Sequence, residues 1–302
     1  MKRDFLRVLD LSPPECGRLI DRAIELKGGL NNTARPLSGK AVGLLFEKSS
    51  TRTRVSLEVG VYQLGGYPVY LNQGDTQMGR GESIADTARV LSRYLDALAI
   101  RTYRHETLVE FAQQATIPVI NALSDSHHPC QILADLMTIK ERKGTLKGVR
   151  VTYVGDGNNV ANSLIESAWL MGMSLTVACP PGFEPNIVMP AIPPRADIPA
   201  DIRICHCPEE AVRETDVIYT DVWVSMGDKV SAAEKKENFK GFQVNDGLLL
   251  HARPDTLIMH CLPAHRGEEI TSQVLDGTNS VVFDQAENRL HTQKAILELL
   301  VK

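Results

Sequence analysis

Short apolar runs alternate with longer stretches of helical periodicity along almost the whole chain, and this alternation is what most limits the fold. Residues 41–46 form an apolar run suited to one buried strand, followed after a polar turn by a helical stretch ending at Gly65-Gly66. Residues 68–71 predict a second strand, 82–94 a helix with Ile84, Ala88 and Leu91 on one face, and 96–100 a third strand. A helix over 104–115 and a strand over 117–121 continue the series. Upstream, Ser12-Pro13-Pro14-Glu15 reads as a capping box with proline at the first helical position, which predicts a helix over 13–27. Strands that alternate with helices pair in parallel, and the helices then cover both faces of the sheet.

A helix over 129–143 leads to Gly144 and Gly148, where a boundary is expected. A second series follows, with strands at 149–154, 174–178, 216–219, 256–260 and 281–283 and a last helix over 287–300. Eight of the 16 prolines fall within 180–208, so this stretch is expected to be irregular, with little helix. The expected fold class is α/β, with two domains, each a parallel sheet flanked by helices. A length of 302 residues accommodates two such domains.

Composition narrows the partners. The formal charge is −4, from 33 basic and 37 acidic side chains, which disfavours a polybasic nucleic-acid binder. Aromatic residues make up 5%, too few for a platform that stacks single-stranded bases. No apolar run approaches the ~18–20 residues of a membrane span. The opening MKRDFLRVLDLSPPE has neither the apolar core of a signal peptide nor the acid-poor character of a transit peptide, so a cytoplasmic protein is expected. Six scattered cysteines fit reduced thiols better than a disulfide framework.

In open α/β sheets, reactive residues collect where strands end and helices begin. Ser49-Ser50-Thr51-Arg52-Thr53-Arg54 follows the first strand and offers hydroxyls, a helix N-terminus and two guanidinium forks, a combination suited to phosphate. Arg101 follows the third strand. His127-His128-Pro129-Cys130-Gln131 opens the next helix, where an imidazole can donate a hydrogen bond to a carbonyl oxygen. Gly155-Asp156-Gly157-Asn158-Asn159 resembles a dinucleotide fingerprint, but Val160 occupies the third glycine position and Cys179-Pro180 replace the acid after the next strand. The two asparagines instead suit a carboxylate or an amino acid. Asp221 can hold an ammonium, and the Ser225-Met226-Gly227 loop a carboxylate. Cys261 lies in His260-Cys261-Leu262-Pro263, at the end of a strand, and Arg289 near the start of the last helix. Cys205-His206-Cys207 is too short a spacing, with no second pair, for a metal site.

Together these motifs resemble the aspartate/ornithine carbamoyltransferase family over nearly the whole chain. Ser50-Thr51-Arg52-Thr53-Arg54 resembles its carbamoyl-phosphate motif, and His128-Pro129-Cys130-Gln131 its second motif. Phe46-Glu47-Lys48, Ser225-Met226-Gly227 and His260-Cys261-Leu262-Pro263 resemble the ornithine branch more than the aspartate branch. The resemblance implies a carbamoyl-phosphate domain over 1–145, completed by a C-terminal helix over 285–302 that returns to it, and an ornithine domain over 146–284. It implies carbamoyl phosphate on Ser50, Thr51, Arg52, Thr53, Arg101, His128, Gln131, Cys261, Leu262 and Arg289, with Gln77 donated by a neighbouring subunit of a homotrimer. Arg52, Arg101, His128 and Cys261 would be the catalytic set. Asn159, Asp221, Ser225 and Met226 would hold L-ornithine. The implied reaction gives citrulline and phosphate, on the route to arginine, with no cofactor and no metal; the alternatives are another amine acceptor or the catabolic direction.

Overall fold

The computed structural model describes residues 2–29, 35–186, 201–224 and 231–302. The chain divides into two compact units, Met1–Met137 with Glu287–Lys302, and Thr138–Ala286.

The first unit opens with helix α1 (Pro13–Lys27). Its start is fixed by Glu15, whose carboxylate accepts the Ser12 N–H at 2.9 Å and the Ser12 hydroxyl at 2.7 Å. Cys16, Leu19, Ile20, Ala23 and Leu26 recur at helical spacing and form its buried face. Then come β1 (Ala41–Phe46), α2 (Arg52–Gln63), β2 (Tyr67–Asn72), α3 (Ile84–Leu91), β3 (Ala97–Arg101), α4 (His105–Gln114), β4 (Val119–Leu123) and α5 (Pro129–Lys143). The strands form one parallel sheet in the order β2-β1-β3-β4. One face packs Leu45, Leu98 and Ile100 against Ala88, Leu108 and Phe111.

The second unit contains β5 (Arg150–Val154), α6 (Asn159–Met171), β6 (Ser174–Ala178), β7 (Ile202–Cys205), α7 (Pro208–Ala211), β8 (Val217–Thr220), α8 (Ala232–Asn238), α9 (Asp246–Leu249), β9 (Leu257–His260) and α10 (Ser272–Leu275). Its sheet is also all parallel, in the order β7-β6-β5-β8-β9. Helix α11 (Val282–Leu300) returns to the first unit. There Glu298 pairs with Arg22 of α1 at 2.8 Å, and the Lys294 ammonium donates to Gln63 of α2 at 3.0 Å.

Three expectations need correction. Residues 281–283 are not a strand. Ser280 makes a single bridge to Ile258, and the Val281 N–H bonds to the Ile258 carbonyl at 3.0 Å; α11 then begins. Three apolar residues suit either a short strand or a helix start, and the tertiary setting selects the helix. Arg101 is the last residue of β3 rather than the first beyond it. The proline-rich stretch contains the edge strand β7, which pairs with β6; residues 187–200 lie outside the described residues.

Each sheet has one point where successive strands are laid down on opposite sides of an earlier one. The first falls between β1 and β3, whose ends meet with Phe46 opposite Arg101. The second falls between β5 and β8, with Val154 opposite Thr220. Such points open a crevice at the carboxyl ends of the strands.

Candidate active site

At the first switch point, β1 runs directly into the turn that starts α2. The Ser50 hydroxyl accepts the Thr53 N–H at 3.3 Å, so part of the hydroxyl cluster caps the helix. Arg52 is the first residue of α2, where a positive charge meets the positive end of the helix dipole, an arrangement that an anion relieves. Arg289, brought in by α11, is buried and donates from Nη2 to Thr53 Oγ1 at 2.5 Å. His128 is buried immediately before α5. Burial, reinforced by the positive charges of Arg289, Arg101 and Arg52, holds its imidazole well below the usual histidine range, so it is neutral. Four chain segments thus bring three guanidiniums and one neutral imidazole to one place.

Gln131, one turn into α5, is buried and donates from Nε2 to Asp135 at 2.8 Å. Its neighbour Cys130 is buried among apolar groups, which pushes its thiol up to about 12 and leaves it unreactive. Arg54 is turned away from the set: it pairs with Glu58 at 3.0 Å and stacks 3.5 Å from the Tyr70 ring centroid. Thr51 is exposed at the cap position of α2, and Gln77 is exposed on the turn Gln77–Arg80 after β2.

At the second switch point the side chains have the opposite character. Asp221 follows β8 and accepts hydrogen bonds from Asn158 Nδ2, Cys261 Sγ and the Val222 N–H, each at 2.8 Å. Asn158 caps α6, its Oδ1 accepting the N–H groups of Val160 and Ala161 at 2.9 and 3.2 Å. Asn159 is the first residue of that helix. The resemblance implies Asn159 as a ligand; it is the side chain of its neighbour Asn158 that holds Asp221 in place. The Leu262 backbone is left-handed, with φ 56°, and its N–H donates to His260 Nδ1 at 2.9 Å. His260 Nε2 therefore carries the proton, facing Glu269 Oε1 at 3.0 Å, and both side chains are fully buried. Ser225 and Met226 lie outside the described residues.

The glycines after β5 have a packing explanation. A Cβ on Gly157 would lie 2.3 Å from the Pro185 nitrogen and 2.6 Å from the Phe183 carbonyl oxygen, which accepts the Gly157 N–H at 2.9 Å. This glycine admits a neighbouring backbone, which is why the segment mimics a phosphate-binding turn. Asp156 forms a buried ion pair with Lys235 of α8 at 2.6 Å, a second contact that the sequence pattern did not reveal. Cys205 ends β7, and all six cysteines are free.

Residues 3–141 match the carbamoyl-P binding domain of aspartate/ornithine carbamoyltransferase, and residues 147–300 match the Asp/Orn binding domain. The chain belongs to this family. Among family members, it is 51% identical over 303 residues to the anabolic ornithine carbamoyltransferase of Pyrococcus furiosus, covering 99% of this chain and 96% of that one. It is also 51% identical over 302 residues to the catabolic ornithine carbamoyltransferase of Thermoplasma acidophilum, covering 99% of each. A solved structure of the ornithine carbamoyltransferase from Pyrococcus furiosus matches with a TM-score of 0.93 at 51% identity, covering 99% of this chain and 97% of that one.

Proposed function

We propose that the chain transfers the carbamoyl group of carbamoyl phosphate to the δ-amine of L-ornithine, giving L-citrulline and phosphate. The observation that carries this reading is the convergence of Arg52, Arg101 and Arg289 around the neutral His128. Three fixed guanidiniums match the oxygens of a phosphate, and a neutral imidazole offers one N–H to a carbonyl oxygen. Ser50, Thr51, Thr53 and Gln131 complete the phosphate set, with Cys261 and the Leu262 backbone beside the carbamoyl group. Asn159, Asp221, Ser225 and Met226 hold the amino-acid end of ornithine.

In the reaction the uncharged δ-amine attacks the carbonyl carbon, forming the C–N bond. The C–O bond to phosphate then breaks, and its electron pair leaves with the phosphate, which takes up the proton lost from nitrogen. The oxyanion develops beside His128 and Arg101, and the leaving phosphate beside Arg52 and Arg289. No covalent enzyme intermediate is needed, because positioning and fixed charge supply the acceleration.

The working form is a homotrimer in the cytoplasm that serves arginine biosynthesis. Support for the trimer comes from Val55 and Tyr62, two helical turns apart on α2 and both exposed; Tyr67 and Tyr94 are further exposed aromatic residues of the first unit. Gln77 would reach a neighbouring subunit from its exposed turn. Among the described residues no helix is long and apolar enough to cross a membrane.

The deciding experiment supplies carbamoyl phosphate with ornithine, putrescine, an acylated ornithine or aspartate, and measures the carbamoylated product and phosphate. Citrulline formed far faster than the other products is the expected result; preference for another acceptor overturns the reading. Sedimentation should give three times the chain's mass. Mixing inactive Gln77→Ala with inactive Arg52→Ala should restore activity through hybrid sites, and a monomer or a failure of rescue removes the shared-site proposal. Complementation of an arginine auxotroph lacking this activity tests the biosynthetic direction.

A further inference from the structure

Glu47 follows the central strand β1, one residue before Lys48 and three before Ser50, and the phosphate set does not use it. Its position in the sheet is unusual in what it joins. Phe46 pairs with Asn72 at the end of β2 and with Arg101 at the end of β3, so Glu47 emerges between the loops that continue those two strands. Its N–H donates to the Arg101 carbonyl at 2.9 Å. Its Oε2 accepts the Tyr103 N–H at 3.0 Å and the Thr102 hydroxyl, and its Oε1 accepts the Gln73 amide at 3.2 Å. Residues 101, 102 and 103 are thereby each tied to Glu47, and the loop leading toward Gln77 is tied to the same carboxylate.

We infer that Glu47 is a positioning residue for carbamoyl phosphate: it locks the loop that carries Arg101, and the loop after β2, to the strand that presents Ser50–Thr53. The residue type follows from the partners. Every group facing the carboxylate is a donor, so only a side chain with acceptors alone satisfies all of them. Glutamine has the same length but turns an NH2 toward a donor, and aspartate is a methylene short. The nearby charges are Lys48, which is buried 4.2 Å over the Tyr103 ring, and Asp125; both also face the segment held by Glu47. Thr102 is fully buried and lends its hydroxyl to the Arg104 N–H at 3.3 Å, so the lock extends to the start of α4.

This inference rests on the phosphate reading of Arg52 and Arg101, and the test separates the two. Steady-state KM values for carbamoyl phosphate and for ornithine are measured in Glu47→Gln, Thr102→Val and Gln73→Ala, and turnover in Arg52→Ala, with thermal unfolding of each. Glu47→Gln should raise the carbamoyl-phosphate KM by about tenfold, the scale of one charge-assisted hydrogen bond, while the ornithine KM changes less than about twofold. Thr102→Val, which keeps the shape of the side chain, should shift the same constant in the same direction by about threefold. Gln73→Ala should give the smallest shift of the series. An inactive Arg52→Ala beside an unchanged carbamoyl-phosphate KM in both Glu47→Gln and Thr102→Val overturns the lock and leaves the phosphate reading intact. An equal rise in both KM values also overturns it, since that marks general loosening. An active Arg52→Ala overturns the phosphate reading itself.

Discussion

The carboxyl ends of β1 and β3 and those of β5 and β8 are equivalent places in two parallel sheets, yet their chemistry is opposite. The first is lined by three guanidiniums around a neutral histidine; the second by a carboxylate that accepts three hydrogen bonds from an amide, a thiol and a backbone N–H. Topology selects where a ligand meets the backbone, because diverging crossovers leave a crevice at the strand ends. Side chains then select its charge. The first switch point gathers positive charge, and the second sets a carboxylate beside polar amides.

This contrast is testable, starting where the effect is largest. Arg52→Ala removes one guanidinium of the anion set and should lower kcat by at least about 10²–10³, with thermal unfolding little changed. Wild-type turnover in that variant would break the anionic half of the comparison. His128→Ala should lose about 10²-fold in kcat, and His128→Gln, which restores a neutral donor, should recover part of it. Because His128 is held neutral, the pH profile of kcat/KM for carbamoyl phosphate should show no acid inflection near the ordinary histidine value of about 6.5 that disappears in His128→Gln. Asp221→Asn should raise the ornithine KM by about tenfold or more while the carbamoyl-phosphate KM stays put, the mirror image of a phosphate-side variant.

Smaller effects sharpen the same contrast. Gly157→Ala forces a Cβ into the backbone of 183–185 and should destabilise by about 1–3 kcal/mol, with ornithine binding affected before carbamoyl phosphate. On the first sheet, burial and the charges of His105 and Arg7 push His127 down to about 3. An unfolded chain binds the proton near pH 6.5 and the folded one only near 3, so stability is fully present above about 6.5 and declines as pH falls through that window. His127→Gln should flatten this decline in melting temperature between pH 7 and 5; an unchanged slope assigns the acid sensitivity elsewhere.

Much of the fold was legible because the signals were local. The ranges read for α1, β1, α5 and β6 coincide with the observed ones, the first three marked by a cap, an apolar run and a proline. The two parallel sheets followed from alternation alone, though the edge strand β7 did not. What was hidden depends on contacts distant in sequence. Nothing near residues 281–283 announces that one bridge to β9 ends there. The four-residue helices α7, α9 and α10 are too short to show a period. The Asp156–Lys235 pair and the His260–Glu269 pair join residues with no pattern between them. Asn158 and Asn159 look equivalent in a string, and only the helix start decides which of them caps. Glu47 was visible as part of a motif, but its partners at 73, 102 and 103 become neighbours only when three strands align.

The return of α11 has a consequence for the order in which the protein becomes functional. Thr53 and Arg289 are separated by 236 positions, so at the usual pace of translation roughly 10–50 s pass between the synthesis of one and the other. During that interval β1–β4 can pair, but the third guanidinium of the anion set does not yet exist. The ribosome-bound chain therefore emerges with this guanidinium cluster incomplete, and α11 completes it.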